Sequence, residues 1–108
     1  MAFLDADDYW TRDALKKLAT TMDAHKADLA YCGWQNVGTG GPGTEAHVPP
    51  EYERLDTVSL FLKGSPWPIH AALLRRRVLD LVGGFSTRMF SSMDYDLWLR
   101  ILEVTRKF

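Results

Sequence analysis

The residues best equipped for chemistry lie at the amino terminus. Phe3-Leu4 runs straight into Asp5-Ala6-Asp7-Asp8, and Tyr9-Trp10 follow at once. The order reads as a short buried strand with acids at its carboxyl end, which is where open α/β sheets bind ligands. Three carboxylates within four residues are costly to hold together unless a cation or hydrogen-bond donors neutralise them. Carboxylate oxygens suit Mg²⁺ or Mn²⁺, and Mg²⁺ commonly takes one or two protein carboxylates together with substrate phosphates. The chemistry on offer is a metal-assisted phosphate or nucleotide site. The plainer alternative is a helix start decorated with acids, which the helix dipole favours with no function attached. An EF-hand is excluded. Its sixth and twelfth positions require glycine and glutamate, and counted from Asp5 these are Trp10 and Lys16.

A second acidic cluster, Asp94-Tyr95-Asp96, opens the last helical segment. Dipole complementarity accounts for Asp96. Asp94 follows a glycine-bearing loop and can point off the helix end into a cleft, where an aspartate within reach of a hydroxyl acts as a general base. The single cysteine, Cys32, sits between Tyr31 and Gly33 in an apolar run and reads as a small buried hydrophobe. It excludes an internal disulfide.

The elements between the clusters must position them. Leu15, Leu18, Ala19 and Met22 recur at helical spacing behind Thr11, a candidate N-cap, and predict a helix from about 12 to 24 with Lys16 and Lys17 outward. Residues 29–37 read as a strand interrupted by Gly33, and 38–43, with Pro42, as a turn or mobile loop. Residues 45–54 carry Pro49-Pro50 and no period, and read as irregular. Asp56 then caps a short helix with Val58, Phe61 and Leu62 inward. The prolines at 66 and 68 keep 64–68 extended or turning. Residues 69–74 read as a second strand, followed by basic Arg75-Arg76-Arg77. A brief helix over 77–82 stops at Gly83-Gly84, and 85–92 form a loop. The final helix covers 94–105, with Leu97, Ile101 and Val104 as its main stripe and Trp98 and Leu102 widening it. The alternation of helix and strand predicts an α/β fold.

At 108 residues the chain is at most one ordinary domain, and 46% hydrophobic with 25% charged residues is the composition of a globular one. A net charge of −1 gives no electrostatic argument for nucleic acid or an anionic membrane surface. No run approaches the roughly 20 apolar residues of a membrane helix, and residues 1–4 cannot be a signal peptide.

Three stretches, in order and spacing, resemble inverting family 2 glycosyltransferases, nucleotide-sugar enzymes of the GT-A fold. The segment 3–10 resembles the family's aspartate-x-aspartate segment. Residues 69–76, Ile-His-Ala-Ala-Leu-Leu-Arg-Arg, resemble the strand entering the acceptor side. Val82-Gly83-Gly84-Phe85 followed by Met93-Asp94-Tyr95-Asp96 resembles the glycine-glycine-phenylalanine turn and the glutamate-aspartate helix start, with Met93 where the family usually has glutamate. That departure is expected to alter acceptor contacts and to leave the base in place.

The resemblance implies a partial GT-A (Rossmann-like) fold over 1–108, a single domain lacking the N-terminal nucleotide-binding units. It implies Asp5 near the nucleotide, Asp7 with Asp8 on a divalent Mg²⁺ or Mn²⁺ bridging the donor diphosphate, and Asp94 as the base. His70 would touch donor phosphate or acceptor, and Arg75 and Arg76 would meet phosphate. The alternatives are a satisfied core histidine and, for Arg75 and Arg76, exposed charge. Trp67 stacks on a sugar or packs under a loop, Trp34 and Trp98 belong to the core, and Arg100 pairs with an acid of its own helix. The implied partners are a nucleotide-diphosphate sugar and a carbohydrate or lipid-linked acceptor. The implied setting is cytoplasmic, at most peripheral to a membrane. The chain stops where a further strand would begin, so little activity is expected of it alone, and unpaired sheet edges predict a homo-oligomer. The rival reading is a non-catalytic remnant serving as an interaction or oligomerisation module. A plain metal-binding domain lacks the closed ligand set such sites need.

Overall fold

The computed structural model describes residues 1–38 and 43–108. Most of the loop expected over 38–43 lies outside the described residues. The elements are α1 (Ala14–Ala24), β1 (Leu29–Tyr31), β2 (Trp34–Gln35), β3 (Ala46–His47), α2 (Thr57–Lys63), β4 (Ala72–Leu74), α3 (Arg76–Val82) and α4 (Met93–Val104). Two 3₁₀ turns, Tyr52–Arg54 and Ile69–Ala71, precede α2 and β4.

The fold is mixed α/β, and its strand pairs are antiparallel. β1 lies against β4 with Leu29 opposite Leu74 and Tyr31 opposite Ala72. On the other side of β4, Ala2 bridges Leu73, and the Leu74 N–H donates to the Met1 carbonyl at 2.8 Å. On the other side of β1, the N–H groups of Asp28 and Leu29 donate to the Lys107 carbonyl at 2.7 and 3.2 Å. The two ends of the chain therefore flank one small sheet. β2 and β3 form a separate pair, Trp34 opposite His47.

Several expectations change here, each for a physical reason. The strand over 29–37 divides at Gly33, because a Cβ there would sit 2.6 Å from the His47 carbonyl oxygen. Only glycine lets the β3 backbone approach so closely. Residues 45–54, read as irregular, hold β3 and a 3₁₀ turn, since pairing with β2 is a tertiary event that leaves no local period. The strand at 69–74 begins only at Ala72. Sheet pairing at the amino terminus ends at Ala2, and Leu4 is 42% exposed, so the buried strand expected at Phe3-Leu4 is shorter than the apolar pair suggests. The N-cap of α1 is Asp13, not Thr11, whose hydroxyl instead donates to the Asp13 carboxylate at 3.1 Å.

The core is aromatic. Trp67 is fully buried and stacks on Tyr31, ring centroids 4.4 Å apart and planes nearly parallel, with Tyr52 and Phe61 edge-on at 5.3 and 5.5 Å. Trp98 Nε1 donates to the Trp67 carbonyl at 3.1 Å. Trp67 thus packs, and its ring is not open to a sugar. α4 contributes Leu97, Trp98, Ile101 and Leu102, but Val104, its last residue, is half-exposed. α2 spans only seven residues and buries Phe61, leaving Val58 exposed and Leu62 68% exposed, against the expected inward stripe. Its N-cap is the expected Asp56, which accepts from the Ser59 N–H at 3.3 Å. α1 lays Leu18 and Met22 against Ala27 and Ala30. The buried carboxylate of Asp28 accepts from Arg77 and, at 2.7 Å, from the Thr105 hydroxyl, which satisfies a group that would otherwise be costly to bury.

Candidate active-site cleft

The acids form a turn. The Asp8 N–H donates to the Asp5 carbonyl at 3.2 Å, leaving Asp5 and Asp7 exposed and Asp8 half-buried. Two contacts tie this turn to the 3₁₀ turn before β4. Trp10 Nε1 donates to the His70 carbonyl at 2.7 Å. The Asp8 carboxylate Oδ2 lies 2.7 Å from His70 Nδ1, which is buried. That separation fits an ion pair or a hydrogen bond, but the imidazole N–H is not aligned on the oxygen as it stands, and no other group among the described residues partners Nδ1. Apo sites commonly hold such hydrogen bonds slack.

The turn borders a cleft of about 350 Å³, lined by Asp7, Asp8 and Tyr9, by Trp34 and His47 of the β2–β3 pair, and by His70. Trp34 and His47 stack 5.2 Å apart at 14°. Trp34, assigned to the core by sequence, is only half-buried and belongs to this wall as well. Cys32 also lines the cleft, and burial pushes its thiol above the ordinary value, in keeping with a small hydrophobe. Tyr31, the last residue of β1, is pushed up by burial and then by its 2.6 Å hydrogen bond to the Glu53 carboxylate. The β2–β3 wall is what sequence reasoning missed, and the signal was Gly33, since glycine inside a strand marks close backbone approach.

Of the residues singled out in the sequence, Asp7, Asp8 and His70 meet in this cleft, and Asp5, Arg76 and Asp94 do not line it. Arg76 is exposed and pairs with Asp80 at 3.1 Å. Arg75 holds the end of α1 through Asp23 at 2.6 Å and the Ala27 carbonyl at 3.2 Å. Asp94 is half-buried, accepts from the Tyr95 N–H at 2.8 Å and has no cationic partner among the described residues.

Asp96 faces Arg100 at 2.7 Å, the expected pair within one helix. The same guanidinium donates to the carbonyls of Val82 and Gly84 at 2.7 and 2.8 Å. It thereby fixes a turn in which Gly83 and Gly84 both take left-handed φ values, 76° and 73°. Phe85, next in the chain, meets Phe3 edge-to-face at 5.0 Å. The acid turn and the loop leading to Asp94 are thus joined through that aromatic pair.

Among the described residues no group of three or more His, Cys, Asp or Glu side chains gathers to hold a metal. The exposed Asp7 carboxylate and the free oxygen of Asp8 are hard donors that fit a weakly held Mg²⁺ or Mn²⁺ completed by phosphate oxygens and water. They do not form a closed cage.

The fold and cleft define a small mixed α/β protein with carboxylates at the rim of a cleft. The particular family follows from comparison. The model described as "Glycosyl transferase family 2" matches residues 1–83, and the chain belongs to that family. Asp5, Asp7, Asp8, His70 and Arg76 fall inside the matched stretch, and Asp94 falls beyond it. The chain is also similar to "Uncharacterized protein y4gI" of Sinorhizobium fredii (strain NBRC 101917 / NGR234), 30% identical over 104 residues. The similarity covers 95% of this chain and 11% of that protein, so the chain spans about a tenth of its relative's length. No solved structure matches. No helix among the described residues is long and apolar enough to cross a membrane.

Proposed function

We propose that residues 1–108 are the central and acceptor-side part of a single GT-A-type domain. It transfers a sugar from a nucleotide-diphosphate sugar to a hydroxyl of a carbohydrate or lipid-linked acceptor, with inversion. The observation that carries this reading is the Asp7–Asp8 turn, pinned at the rim of a 350 Å³ cleft in a family 2 chain. Asp7, with Asp8 beside it, would hold Mg²⁺ or Mn²⁺ against the donor diphosphate, and Asp5 would lie toward the nucleotide. The bound cation supplies positive charge that stabilises the departing diphosphate. Arg76 reaches phosphate if it exchanges its exposed pairing with Asp80, a pairing of little energetic weight. Asp94, with no cationic partner among the described residues, takes the proton of the acceptor hydroxyl as that oxygen attacks the anomeric carbon opposite the leaving diphosphate. The setting proposed is cytoplasmic, with little turnover from the isolated chain.

The test joins this chain to the amino-terminal strand–helix units of an active family 2 enzyme and compares Asp94→Asn with Asp96→Asn. Loss of about 10²–10⁴ in rate from Asp94→Asn alone, at unchanged nucleotide affinity, supports the base. Equal losses from both variants place it elsewhere.

One observation favours a second reading, a homo-oligomerising module. The outer face of α2 leaves Val58 and Leu62 without apolar cover. Sedimentation velocity showing one monomeric species over a wide concentration range would refute that reading.

A further inference from the structure

The Asp8–His70 contact does work that a shared place in the cleft does not require. The buried face of the imidazole carries Nδ1, 2.7 Å from the Asp8 carboxylate. Two lone pairs at that distance repel, so the contact is favourable only with a proton on Nδ1. The proton on one imidazole nitrogen is set by the partner of the other. His70 is further fixed by its backbone, because its carbonyl accepts the Trp10 indole N–H. Its side chain is about one-fifth exposed and lines the cleft, and Nε2 has no partner among the described residues. Around it the cleft offers ring faces at Tyr9 and Trp34 and carboxylates at Asp7 and Asp8. That mixture of flat apolar faces and polar acceptors suits a sugar ring.

We propose that Asp8 is a positioning residue that keeps the proton of His70 on Nδ1, so that Nε2 meets the cleft as a hydrogen-bond acceptor for a sugar hydroxyl. The hydroxyl part rests on the glycosyl-transfer reading; the Asp8 part does not. A carboxylate that orients an imidazole in this way is a recurring device for presenting the opposite nitrogen to a substrate. With Oδ2 turned to His70, Asp8 keeps only Oδ1 for a cation, so Asp7 carries most of any cation binding.

The test is nitrogen NMR of the histidine side chains in the 108-residue chain, at about pH 8, above the ordinary imidazole range of roughly 6.5. His25, exposed on the end of α1, serves as an unpaired reference. His70 should show a protonated Nδ1 and a lone pair on Nε2, unlike His25. Asp8→Ala should return it to the His25 pattern, while Asp8→Asn, which keeps an acceptor oxygen, should preserve the Nδ1–H form. A protonated Nε2 in the parent overturns the proposal, as does an unchanged tautomer in a folded Asp8→Ala. If Asp8→Ala does not fold, the parent spectrum and Asp8→Asn still decide.

UDP-glucose with Mg²⁺ should then shift the Nε2 resonance, and UDP with Mg²⁺ should not. Binding of UDP-glucose that perturbs Tyr9 but leaves Nε2 unmoved overturns the hydroxyl contact. Failure of both nucleotides to bind counts against the glycosyl-transfer reading and the hydroxyl contact together, while the tautomer result still stands or falls on the parent spectrum.

Discussion

Trp67 and Asp8 are held in opposite ways. Trp67 touches Tyr31, Tyr52, Phe61 and Trp98, drawn from β1, a 3₁₀ turn, α2 and α4, so four separate segments converge on one indole. Asp8 sits on a turn of no regular structure, tied down by Trp10 and His70 and backed by the Phe3–Phe85 contact. The core is over-determined, and the cleft rim hangs on single contacts. Stability and site geometry should therefore respond to different substitutions, and the comparison can be broken by finding one that moves both alike.

The largest effect is expected from Trp67→Ala. Removing a fully buried indole typically costs about 3–5 kcal/mol, a large share of the roughly 5–15 kcal/mol available to a small domain. Urea unfolding followed by circular dichroism should show a midpoint moved strongly toward zero denaturant, or no cooperative transition. A shift of less than about 1 kcal/mol would mean that the aromatic cluster is not the organising core.

Trp10→Phe sharpens the other side. It keeps a ring and removes the hydrogen bond to the His70 carbonyl, a loss of about 0.5–1.5 kcal/mol in stability. Its larger consequence should be local, with amide exchange rising in residues 5–10 and 69–71 and unchanged around Trp67. Equal loosening of both regions would contradict the division between core and rim.

The smallest effect concerns the cap of α2. The Ser59 N–H donates to the exposed Asp56 carboxylate and holds it below the ordinary carboxylate range. A lowered folded value stabilises the native state above the unfolded value of about 3.9, and that contribution fades as pH falls through the lowered value. Asp56→Asn should therefore flatten only the acid limb of a stability–pH curve. A parent-minus-variant difference that persists undiminished in strong acid, or that still changes above about pH 5, would assign the cap another role.

Local chemistry made much of this legible in the sequence. The span of α1, the Asp56 cap, the Gly83 stop and the Asp96–Arg100 pair depend on residues within one or two turns of each other, and each is found where the sequence places it or within two residues. Tertiary terms were not legible. The Trp34–His47 pairing joins residues with no shared period, and the outward turn of Val58, Leu62 and Val104 reflects what each helix has to pack against, not its own spacing. At the site, the acids and His70 were visible as candidates because their types are unusual in apolar surroundings. Their meeting in one cleft, and the place of Asp94 outside it, are set by how the acid turn docks on residues 69–71.

At the centre stands the proposed cation-assisted diphosphate site of Asp7 and Asp8. Isothermal titration of the 108-residue chain with UDP in the presence and absence of Mn²⁺ tests it directly. Weak, Mn²⁺-dependent binding is expected, abolished by Asp7→Ala and left intact by Asp96→Asn. Identical isotherms for the parent and Asp7→Ala, or UDP binding indifferent to Mn²⁺, would contradict it.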